Sequence, residues 1–63
     1  MEQLFISRHD AARVLNISTD TLDRLADAGH IAKIKIGART CYAREEIERF
    51  SRELMKKGAI KLA

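Results

Sequence analysis

The sequence predicts a mainly α fold with a small β-hairpin, in the order helix, tight turn, helix, two-stranded hairpin, helix. Three observations carry that expectation. Ser7 and Ser18 each precede a short run in which apolar residues recur at helical spacing. Ile34 and Ile36 alternate with Lys33 and Lys35 just ahead of Gly37, a strand pattern followed by a turn residue. Residues 44–57 carry acids at the front and Lys56 and Lys57 at the back, with Gly58 as a stop.

Taken in order, Ser7 caps a first helix over residues 8–15, which buries Ala11, Ala12, Val14 and Leu15. Asn16 suits its end, because asparagine tolerates the left-handed backbone found there. Ile17 then drops into the core. Ser18 caps a second helix running to residue 28, with Leu22, Leu25 and Ala26 as its apolar face and Gly29 as its stop. Two short capped helices joined by a tight turn are the helix-turn-helix signature. In the hairpin the isoleucines are expected to point in and the lysines out. Gly37, Ala38, Arg39 and Thr40 form its turn, and Cys41, Tyr42 and Ala43 its return strand. The third helix buries Ile47, Phe50 and Leu54, at i, i+3 and i+7. Residues 1–58 are expected to form one domain and residues 59–63 a tail, whose Ile60 and Leu62 either pack on the core or serve a partner.

A chain of 63 residues suffices for one small, marginally stable domain without a deep cleft. Its single cysteine, Cys41, excludes an intrachain disulfide and suits a reducing compartment. No apolar run approaches the roughly 20 residues that span a bilayer. The opening "MEQLFISRHD" has no basic region followed by an apolar stretch. A soluble, cytoplasmic protein without membrane association is expected. The net charge of +3 is mild, but its distribution is uneven. Residues 18–29 hold Arg24 against Asp20, Asp23 and Asp27, while residues 30–44 hold Lys33, Lys35, Arg39 and Arg44 with no acid. A basic cluster on a small domain is the usual electrostatic footprint of nucleic-acid binding, and a solvated loop looks the same.

Catalytic and metal chemistry find no support in the residues. His9 and His30 stand far apart with no supporting cysteine pair, so no metal or other cofactor is expected. A lone strand cysteine reads as a small buried hydrophobe rather than a nucleophile. Glu45 and Glu48 read as partners of Arg49 and Arg52 at i, i+4 on the third helix. No enzyme is expected.

The stretch "ISRHDAARVLNISTDTLDRLADAGHIAKIKIGARTCYAREEIERF" places these elements in a distinctive order. Its ordered slots are Ala11 and Ala12, Leu15 to Ser18, Thr21 and Leu22, Gly29 to Ile31, Ile34 to Gly37, and Arg44 to Ile47. In these slots the chain resembles the excisionase-like, MerR-like winged helix-turn-helix family of small bacterial and phage DNA-binding proteins. The resemblance implies a second helix in the major groove and a wing along the backbone or minor groove. It also implies that the N-terminus of the first helix offers amides to phosphate. Implied roles are recombination directionality factor, transcription regulator or DNA-architecture protein, including those of phages and mobile elements. Double-stranded DNA would be the partner, often bound by cooperating copies, and the protein would be nucleoid-associated.

The second helix departs from that family's pattern. Members often place arginine or lysine in its first turn and an aromatic near its middle. Here those slots hold Thr19, Asp20 and Asp23. At about 100° per residue, Asp20, Asp23, Arg24 and Asp27 share the face opposite Leu22 and Leu25. Three readings of that acidic face stand open. It is plain surface, with Asp20 at the helix N-terminus and paired to Arg24. It reads bases, a carboxylate accepting from a cytosine amino group. Or it binds a protein partner. For phosphate, Lys33, Lys35 and Arg39 are the candidates, with Arg8 beside the first cap. Ser18, Thr19 and Thr21 offer hydroxyls at the start of the second helix, Thr21 being alternatively half-buried against the first. Asp20 and Arg24 complete the expected DNA-binding set.

Overall fold

The computed structural model describes residues 3–61. In chain order it contains β1 (Phe5–Ser7), α1 (Arg8–Val14), α2 (Thr19–Asp27), β2 (Lys33–Ile36), β3 (Arg39–Ala43) and α3 (Arg44–Lys57). This is the expected winged helix-turn-helix, with one more strand than the sequence predicts. β1 pairs antiparallel with β3, which pairs antiparallel with β2, so the sheet order is β1-β3-β2.

Local chemistry sets the helix limits. The Ser7 hydroxyl accepts a hydrogen bond from the Asp10 amide at 3.1 Å, and the Ser18 hydroxyl accepts from the Thr21 amide at 3.1 Å. Each satisfies one of the amides that a helix start leaves without a partner. Between the helices Asn16 takes a left-handed φ of 58°, and the Ile17 amide returns to the Ala12 carbonyl at 2.9 Å. That reversal points Ile17 back at the core, which it partly enters. α3 ends on Gly58 at φ 80°, a backbone that glycine adopts without steric cost.

The core gathers Ala11 and Ala12 of α1, Leu22 and Leu25 of α2, Ile31, Tyr42 of β3, and Ile47 and Phe50 of α3. Leu54 and Ile60 pack against it while keeping part of their surface. Leu62, expected to alternate with Ile60, lies outside the described residues. Val14, expected to be buried, is 68% exposed. At about 100° per residue it lies well round α1 from the midpoint of Ala11 and Ala12, which face the core.

The wing corrects a second expectation. Residues directly opposite in an antiparallel pair project to the same face of the sheet. Tyr42 is fully buried in the core, and it stands opposite Lys33 on one side and Ile6 on the other. The alternation therefore puts Lys33 and Lys35 on the helix side of the sheet. Ile34, Ile36, Cys41 and Phe5 take the outer side, and Ile36 is 56% exposed. The isoleucines face out because Tyr42, not they, fills the core from this sheet.

On α3 the expected Glu45–Arg49 and Glu48–Arg52 pairs give way to others. Arg44 meets Glu48 at 3.3 Å, and Arg49 reaches Glu46 at 3.2 Å and Glu53 at 2.8 Å. Arg49 also donates to the His30 carbonyl at 3.0 Å, which turns it away from Glu45.

Candidate nucleic-acid interface

α2 offers its outer face because Leu22 and Leu25 anchor its inner one. On the outer face Asp20, Arg24 and Asp27 are exposed and Asp23 is half-buried. The half-burial of Asp23 has a specific cause. Arg8, the first residue of α1, donates Nε to one Asp23 oxygen at 3.0 Å and a terminal nitrogen to the other at 2.6 Å. This is a two-pronged guanidinium–carboxylate pair, the geometry that suits arginine best. It ties the start of α1 to the middle of α2. Hydrogen bonding to Arg8 holds the Asp23 carboxyl below the usual carboxylate range, and the same bond raises Arg8 above its ordinary value.

Asp27 lies 4.0 Å from the Lys33 ammonium, joining the end of α2 to the start of the wing. Two of the helix's three carboxylates thus have cationic neighbours within the protein. Asp20, in the first turn, meets the positive end of the helix dipole instead. The expected Asp20–Arg24 pair is not formed; among the described residues Arg24 has no ion-pair partner. Arg8 offers Asp23 both prongs of its fork, and no local i, i+4 contact is needed to hold that face together.

The expected site residues divide accordingly. Arg8 is engaged with Asp23, its side chain about a third exposed at 34%. Ser18 is exposed, but its hydroxyl is occupied as the cap and lies 3.0 Å from the Thr21 hydroxyl. Thr19 and Thr21 are half-buried on the first turn of α2. Arg24 and Lys35 are exposed and without an ion-pair partner among the described residues. Lys33 shares Lys35's side of the sheet, the side that carries the helices. Arg39 also lacks a partner, but it stands opposite Ile36 and so belongs to the outer side. Lys33 reaches Asp27 of α2, Lys35 lies on the same side of the sheet, and Arg39 lies on the opposite side.

Two features of the site are not expected from the sequence. One is the Arg8–Asp23 bond, which spans 15 residues and so leaves no local spacing signal. The other is Tyr42, whose buried hydroxyl has no hydrogen-bond partner among the described residues. Burial pushes this phenol up from its ordinary range, and the nearby Asp23 charge adds to the effect while Arg8 opposes it. Tyr42 thus lies within electrostatic reach of the Arg8–Asp23 pair.

No helix among the described residues is long and apolar enough to cross a membrane. No curated protein and no solved structure matches the chain. The family model for the helix-turn-helix domain matches residues 7–55, from the Ser7 cap through α1, α2 and the wing into α3. The order of elements, the capped turn and that match agree, and the chain belongs to the helix-turn-helix domain family of DNA-binding proteins.

Proposed function

We infer that the protein is a double-stranded DNA-binding regulator or architectural factor that presents α2 to the major groove and Lys33 and Lys35 to the backbone. An excisionase-like role in directing recombination is one such function, and transcription regulation is another. One observation carries the reading. Asp23 is held by Arg8 within the fold, while Arg24 and Lys35 stand exposed and without an ion-pair partner among the described residues. Repulsion between α2 and phosphate is thereby reduced, and free cations remain to attract it. Arg24 is the side chain of α2 best suited to a base edge, since guanidinium matches the two acceptors of guanine. Thr19 and Asp20 border it at the start of the helix. Ser18 and Thr21 bond each other, so their part is to fix that start.

The test is the salt dependence of binding to a generic duplex. Each lost phosphate contact lowers the slope of log affinity against log salt by about 0.9. The double variant Lys33→Ala, Lys35→Ala should flatten the slope, and Arg39→Ala should leave it close to wild type. An unchanged slope in the lysine variant would take the wing out of the interface.

A further inference from the structure

We propose that the outer face of the sheet is a self-association surface on which a second copy of this chain docks, related by a two-fold axis. Across its middle the face carries Ser7, whose hydroxyl is taken up by the Asp10 amide, Cys41 and Ile34, with Phe5 and Ile36 at opposite corners. Phe5 is 45% exposed and Ile36 56% exposed, with the half-buried Ile34 and Cys41 between them. All four lie on the side away from the helices, by the pairing of Ser7 with Cys41 and of Ile34 with Cys41. Single exposed apolar residues are ordinary, whereas a contiguous group on one sheet face marks a contact surface.

Charge at the two ends of the face selects the occupant. At the hairpin end stands Arg39, exposed and without an ion-pair partner among the described residues. A groove there runs past Ile36, Cys41 and Phe5 and also touches Asp10, whose carboxylate is held by Arg13. At the other end a second groove shares Phe5 and is lined by Leu4, Ala43, Arg44, Glu45 and Glu48. Glu45 is exposed and likewise has no partner among the described residues, whereas Glu48 is held by Arg44. The face therefore runs from a free cation to a free anion. A two-fold axis lying between two such faces, across the strands, reverses the strand direction from one copy to the other. Arg39 of each copy then meets Glu45 of its mate, and both pairs form at once because a two-fold interface is self-complementary. A copy stacked in the same direction would set cation on cation and anion on anion, which is destabilising. Cys41 sits at the middle of β3, the central strand, so the two thiols fall near the axis. The lysine side of the wing and the outer face of α2 stay uncovered. The inference concerns association in the absence of DNA and so stands or falls separately from the proposed function.

The experiment is sedimentation of the DNA-free protein over rising concentration, to about 1 mM, with the Cys41 thiol free. A concentration-dependent dimer is expected. Ile36→Asp should weaken it by at least about tenfold, with the circular dichroism of the monomer unchanged because Ile36 lies outside the core. Arg39→Glu and Glu45→Arg should each weaken the dimer, and the two together should restore it. A short bifunctional thiol reagent should trap the wild-type dimer through Cys41 and fail to trap Cys41→Ser. A monomer at every concentration overturns the proposal. So does a dimer indifferent to Ile36→Asp, or single charge reversals that the double reversal does not repair.

Discussion

Asp23 accepts both prongs of the Arg8 guanidinium, and this one contact changes what the acidic helix is. A carboxylate so held is a strut between two helices rather than a free charge on a groove-facing surface. The pairing leaves a pH signature. The folded carboxyl sits below the unfolded value of about 3.9. Its stabilising effect is therefore full above that value and fades as pH falls through the lower, folded one. Asp23→Asn should be less stable than wild type at neutral pH, and the gap should close below about pH 4. Denaturant curves at neutral and acid pH measure it, and a gap that does not narrow would mean the pair contributes nothing through its charge. Tyr42 makes the opposite point. Its hydroxyl is buried without a hydrogen-bond partner among the described residues, so it carries a desolvation cost with no return. Tyr42→Phe should raise stability by about 1 kcal/mol, seen as a higher melting temperature; a loss of stability would show that the hydroxyl is satisfied.

The helices were legible in the sequence because their limits are written locally. Ser7 and Ser18 cap, Asn16 reverses the chain, and Gly58 stops α3, each through a bond or a φ angle within a few residues. The strands were less legible because pairing is not local. Phe5–Ser7 is a three-residue strand with no periodicity to detect, and its register depends on residues 41–43 far along the chain. The wing alternates correctly, yet four alternating residues fit either face equally well. Tyr42 decides between them, and its priority is visible only once the sheet has packed on α1 and α3. The same remoteness hid the Arg8–Asp23 bond. Ile36→Thr should change stability by no more than about 0.5 kcal/mol, as an exposed site does, when measured at concentrations where the chain is monomeric. A loss of several kcal/mol would return the isoleucines to the core.

At the scale of the molecule, the domain measures 33 × 26 × 17 Å, so one copy covers about one turn of duplex, roughly 34 Å. So small a footprint offers few phosphate contacts, and the second copy proposed on the outer face would add to them. Within a copy, the account divides the sheet between two tasks: its helix side, with Lys33 and Lys35, faces DNA alongside α2, and its outer side faces another copy. The central claim is that α2 and the lysine side of the wing form one DNA-facing surface, with Asp23 withdrawn from it by Arg8. The most direct measurement is an amide-shift NMR titration of the labelled protein with a generic duplex, at low and then near-physiological salt. The account predicts shifts over residues 18–24 and at Lys33 and Lys35 that weaken as salt rises, with Phe5 and Cys41 unmoved by DNA. An absence of shifts at low salt, or shifts confined to the outer face of the sheet, would contradict it.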